Sequence, residues 1–138
     1  MGRCHNDQVF RAPQVNLYVA DVEAAVAFYR DLLGFTETFR TPQQGTPAHA
    51  ELRLDGFTLG LASIDSLRAV HGVNVPVGPG PRAELVLWTD NTDAAFAAVT
   101  AKGATVLSPP HDFLSASLRA AWIADPDGNP VQLVTRRT

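Results

Sequence analysis

The side chains of this 138-residue chain that can do chemistry are few: four histidines, one cysteine, two tryptophans and fourteen carboxylates. Their spacing excludes most active-site patterns. There is no GxSxG elbow, no glycine loop for phosphate, no paired cysteines and no HExxH. Cys4 and His5 fall in the polar start MGRCHNDQVF, His71 in a Gly/Pro-rich connection and His111 in the proline-rich PPHDFLSAS. Ser115 and Ser117 have no evident base nearby. His49, at the start of AHAELRLD, is placed to point inward but stands alone. What remains lies on strand-like runs: Gln14, Asn16 and Tyr18 in PQVNLYVAD, Glu84 and Trp88 in AELVLWTD, and Trp122 and Gln132 around DPDGN. Amides donate and accept, a carboxylate orients, and indoles stack. That is the chemistry of holding a flat, partly polar molecule.

Two repeated units must position these residues. In PQVNLYVAD, Val15, Leu17 and Val19 alternate with Gln14, Asn16 and Tyr18, the pattern of a half-buried strand. Asp21 is the expected N-cap of VEAAVAFYRDLLG, an amphipathic helix stopped by Gly34. The second half repeats this grammar. AELVLWTD alternates Leu85 and Leu87 with Glu84, Val86 and Trp88; Asp90 or Thr92 starts a helix, and Gly103 ends it. Further strands are expected in FTETFRT, AHAELRLD and FTLGLAS, with an Asp55-Gly56 hairpin turn, and in TVLSP, LRAAWIAD and PVQLVTR. Each half then reads β-α-β-β-β, a duplicated block. Residues 1–11 form a tail, 12–63 the first module, 64–82 a linker with a short helix over 64–70, and 83–138 the second module.

The turn Asp125-Pro126-Asp127-Gly128-Asn129 closes on its own side chains, with Pro126 fixing φ and Gly128 taking a positive one. Together with Val19, Asp21, Ala25 and Phe28-Tyr29-Arg30-Asp31-Leu32-Leu33-Gly34-Phe35, it resembles the vicinal oxygen chelate superfamily, the group of glyoxalase I, bleomycin-resistance proteins and extradiol dioxygenases. The resemblance covers about residues 12 to 136. It implies an α+β fold of two βαβββ modules, whose mixed sheets curve into a cleft with helices on the convex side. One fold of this kind hosts many activities.

The resemblance also assigns the four positions that hold a metal in the family's metalloenzymes. They fall on Gln14, Gly60, Glu84 and Gln132. Two amides, one carboxylate and one empty place are poor donors for a first-row ion. The expectation is therefore no metal and no other cofactor, with Gln132 a neutral hydrogen-bonding group. Strand parity puts Gln14, Asn16, Tyr18, Glu84, Val86, Trp88 and Gln132 opposite the helices, and the resemblance adds Trp122 to that concave face. Both tryptophans and Tyr18 are then expected at one cavity, with room left by Gly60 and Ala62, and Phe39, Phe57 and Phe113 as wall residues. Core filling is the competing role for the indoles. PPHDFLSAS is expected as a flap over the cavity.

The ligand-binding set is thus Gln14, Asn16, Tyr18, His49, Gly60, Glu84, Trp88, Phe113, Trp122 and Gln132. The function expected is sequestration of a planar aromatic natural product or drug by a metal-free protein of the bleomycin-resistance type. A metal-free isomerase, cyclase or lyase with Glu84 as general base is the alternative. A metal-dependent lyase or dioxygenase using Glu84 and His49 ranks third. The formal charge of -3 and the lack of a long apolar run argue against nucleic acid and membrane partners. A cytoplasmic homodimer is the expected form, the cleft being built where modules of two chains meet.

Overall fold

The computed structural model of the chain describes residues 9, 11–72, 78–80 and 82–137. Cys4, His5 and most of the expected tail, and part of the expected linker, lie outside them. The alternation in the first run forms β1 (Val15–Val19). Asp21 then caps α1 (Val22–Ala27), its carboxylate accepting from the Ala24 amide at 3.1 Å. The helix widens into one π-helical turn, Phe28–Leu32, which buries both Phe28 and Tyr29. Gly34, at φ +86, takes the left-handed conformation that ends it.

β2 (Thr36–Thr41), β3 (His49–Leu54) and β4 (Phe57–Ser63) complete the first sheet in the order β1-β4-β3-β2. β1 and β4 run parallel, and the other pairs antiparallel. The β3–β4 hairpin turns at Asp55 and Gly56, both with positive φ as a two-residue hairpin of this hand requires. α2 (Ile64–His71) follows. The second module repeats the plan with β5 (Leu85–Trp88), α3 (Thr92–Ala101), β6 (Thr105–Phe113), β7 (Leu118–Ala124) and β8 (Pro130–Arg136), ordered β5-β8-β7-β6. The fold is α+β: two βαβββ modules, each a mixed sheet with its helix on one face.

One core joins the modules. Val22, Val26, Tyr29 and Phe35 pack with Leu59 and Leu61, and with Val99, Ile123, Val131 and Leu133 of the second module. Leu17, Leu85 and Leu87 lie against it, as parity predicts. A slip of one residue in either sheet would turn this apolar set outward, so burial pins the register.

The DPDGN turn is the polar part of the same junction. The carboxylate of Asp125, 5% exposed, accepts from the amides of Asp127 and Asn129, the side-chain amide of Asn129 and the hydroxyl of Tyr29, the last at 2.7 Å. Asp127 accepts from the Ala20 amide, and Asn129 from the Arg82 amide. Burial, then the negative charge of Asp125, pushes the Tyr29 phenol far above its ordinary range, so it stays a donor. The two most family-like motifs of the chain thus meet each other across the module boundary.

Four expectations need correction. Asn91, rather than Asp90 or Thr92, caps α3, accepting from Ala94 at 3.0 Å. Val15 is half exposed because β1 is an edge strand. PPHDFLSAS is no separate flap. β6 runs through Pro109 and Pro110 to Phe113, an edge strand that tolerates prolines at its register shifts, and turns at Leu114–Ala116 with three positive φ angles. Phe57 shares the parity of Leu59 and Leu61, so it meets the concave side only at the rim of the sheet, in a cavity with Gln14 and Glu51. No helix among the described residues is long and apolar enough to cross a membrane.

Candidate functional site

Strand register lays out the first sheet's concave face as a grid. One row is Tyr18, Ala62, His49 and Thr41; the next is Asn16, Gly60, Glu51 and Phe39. Gly60 and Ala62 make a trough between the polar residues of β1 and β3. A side chain at Gly60 would displace the Asn16 amide, since its Cβ would lie 2.0 Å from Asn16 Oδ1 and 3.4 Å from His49 Cε1. The Asn16 amide lies across that gap. Gln14 Nε2 donates to Asn16 Oδ1 at 3.0 Å and to Glu51 Oε2 at 3.4 Å, and Glu51 Oε2 is 3.2 Å from His49 Nε2. A cavity of about 500 Å³ opens beside this network, between β1, β3, β4 and α2, with Tyr18, His49, Ser66 and His71 among its lining.

The second sheet presents a different surface. Trp122, Gln132 and Val86 share one row, and Ala120, Val134 and Trp88 the next. Ala120 and Val134 are buried, and the aromatic groups stand around them. His111 stacks on Trp122, with ring centroids 5.7 Å apart and planes 19° from parallel, while Phe113 lies 6.3 Å from His111. Trp88 is 58% exposed, with the Arg136 guanidinium 5.0 Å above its ring. Gln132 Nε2 donates to Glu84 Oε2 at 2.9 Å. Glu84 is exposed in the single chain.

Gln14, Asn16, Tyr18, His49 and Gly60 are thus brought together on one sheet, and Glu84, Trp88, Phe113, Trp122 and Gln132 on the other. The two sets lie on different sheets of the chain. Tyr18 lines the one described above, and Trp88 a smaller one with Asp90, Thr135 and Arg136. Tyr18 and the indoles therefore stand on different sheets of one chain, whose modules share a core through their helix-covered sides. Three residues escaped the sequence reading: Glu51, His111 and Arg136. Parity could have found Glu51, two residues after His49, and Arg136, four after Gln132. His111 could not be placed, because bulges shift the register of β6.

The donor set decides the metal question. At the family's four positions Gly60 offers nothing, the Gln14 amide is engaged with Asn16 and Glu51, and Gln132 donates to the only carboxylate, Glu84. No group of three His, Cys, Asp or Glu side chains among the described residues could hold an ion. These residues do not fit a catalytic metal.

Residues 11–133 match the family model of the Glyoxalase/Bleomycin resistance protein/Dioxygenase superfamily. Among solved structures, TioX from Micromonospora sp. ML1 is 24% identical with a TM-score of 0.75, the match covering 89% of this chain and 97% of that one. A glyoxalase/bleomycin resistance protein/dioxygenase family enzyme from Burkholderia phytofirmans PsJN is 20% identical with a TM-score of 0.77, covering 92% and 99%. Lactoylglutathione lyase from Agrobacterium tumefaciens is 24% identical with a TM-score of 0.69, covering 89% and 92%. At such identities these likenesses concern the fold alone. No curated protein matches the chain.

Proposed function

This chain belongs to the glyoxalase/bleomycin resistance protein/dioxygenase superfamily, and we propose that it is a metal-independent binding protein that sequesters a small planar aromatic molecule. Its setting in this reading is a cytoplasmic homodimer serving antibiotic resistance or self-protection. The observation that carries the reading is the second sheet's face: a tryptophan under a stacked imidazole and another, more than half exposed, under a guanidinium. An indole left open to water is a poor core filler and a good platform. Aromatic stacking adds about 0.5–1.5 kcal/mol beyond area burial, and a cation over an exposed ring about 0.5–1 kcal/mol. Arg136 and His111 can each leave an indole for a flat ligand at modest cost.

The Glu84–Gln132 pair supports binding over turnover. It offers one acceptor and one amide to orient a ligand, and the partner of the carboxylate is a neutral amide that cannot pass a proton on. The test is a titration of the protein with a panel of planar natural products, followed by tryptophan emission and by product analysis. Saturable quenching at one site per chain, with the ligand recovered unchanged, is the expected outcome. Recovery of a converted product would make the protein an enzyme and overturn the reading.

A further inference from the structure

We propose a second functional site, on the other sheet: His49, held by Glu51, is the proton acceptor for a neutral ligand with an acidic hydroxyl, a phenol or an enol. This goes beyond the aromatic-face reading, since every residue involved belongs to the first module or to α2. The geometry begins with a dyad. His49 Nε2 lies 3.2 Å from Glu51 Oε2, and a carboxylate there makes Nε2 the protonated nitrogen. Nδ1 is then left with its lone pair, and it has no hydrogen-bond partner among the described residues. Gln14 holds the same carboxylate oxygen from the other side at 3.4 Å. Glu51 therefore orients the imidazole and stabilises the imidazolium that forms.

The cavity beside the dyad defines the ligand. At about 500 Å³ it is the size of a small-molecule site. No Asp, Glu, Lys or Arg lines it, so a ligand that enters neutral meets no fixed charge on the cavity wall. Asn16, Tyr18, Ser66 and His71 supply hydrogen-bonding groups, and Pro42, Ala62 and Val70 supply apolar wall for a ring. In the transfer the ligand's O–H bond breaks, its proton bonds to Nδ1 of His49, and the electron pair stays on the ligand oxygen. An imidazolium–phenolate pair results, and no other reactant is needed.

Para-nitrophenol tests this directly, because its phenol and phenolate forms absorb differently. At a pH below the probe's own pKa, the intact protein should produce a saturable phenolate band. Nitrogen-labelled histidine NMR of the unmutated protein should show Nδ1 of one residue gaining a proton in parallel. Glu51→Gln should weaken binding of the phenolate form by about tenfold, since a hydrogen bond to a charged group is lost. His49→Gln should abolish the band, and Trp88→Ala should leave it unchanged. Absence of saturable binding, binding without the band or without Nδ1 protonation, or an unchanged band in folded His49→Gln would each overturn the proposal. Loss of the band in Trp88→Ala would place the probe on the indole face and overturn it as well.

Discussion

Whether an indole is an anchor or a filler depends on what covers it. Trp88 and Trp122 are each topped by a single basic side chain and not by core. If they anchor the ligand, Trp88→Ala or Trp122→Ala should weaken binding by roughly 1–3 kcal/mol, about five- to 150-fold. Gln132→Ala should cost less, about 0.5–1.5 kcal/mol for one neutral hydrogen bond. Titration of the three variants, with melting curves to establish folding, checks the ranking. Equal affinity in the indole variants would reduce the tryptophans to surface residues. The same residues bear on metal content. With Gly60 empty and Gln132 donating to Glu84, protein purified without chelator should carry no stoichiometric zinc, iron, nickel or manganese by elemental analysis. One equivalent of any of these, lost together with ligand binding on chelation, would show that the amides are ligands after all.

The element that most deserves mutation is the DPDGN turn, because its hydrogen bonds leave the hairpin it closes. Tyr29→Phe removes one donor from a buried carboxylate and should destabilise the fold by about 1.5–3 kcal/mol, the worth of a hydrogen bond to a charged group. The pH dependence follows from the direction of the Tyr29 shift. Its phenol ionises far less readily folded than unfolded, so its stabilisation is complete below the unfolded value of about 10 and is lost as pH rises above that. Denaturant melts across the alkaline range should show this limb in the parent and a shallower one in Tyr29→Phe. Equal slopes would mean that the Tyr29–Asp125 bond does not carry the effect. The sequence made much at this scale legible. Alternation placed the β1 and β5 faces correctly, and Asp21 marked its helix, because parity and capping are local. What it could not show depends on distant partners. Asp125 reads as a turn residue until Tyr29, far away in the chain, is packed on it. His111 cannot be placed by counting through two prolines and two register shifts. The sequence offered the candidate residues as one set at one cavity; their division between two sheets depends on how the modules pack, which no local pattern records.

At the scale of the whole molecule, that separation has a consequence. The modules share a core through their helix sides, which leaves both concave faces without a partner in the chain. Phe39, Val86 and Trp88 stand more than a third exposed on those faces, and β1, β2, β5 and β6 are open edges. Exposed apolar surface beside open edges is what a second copy covers, and a two-fold axis would set the first module of one chain against the second module of the other. The first sheet of one chain would then close over the indoles of the other, giving two such clefts per dimer, while the His49 cavity stays a separate pocket between β1, β3, β4 and α2. The protein should therefore be a dimer at micromolar concentration by light scattering, with two ligands bound per dimer. A charge placed on the apolar face, as in Val86→Glu, should give monomers that fold but bind at least tenfold more weakly. Val86 lies on the face opposite the core, so its replacement leaves the packing between modules intact. A monomeric mass for the parent, or full affinity in a monomeric variant, would put the complete site back within one chain.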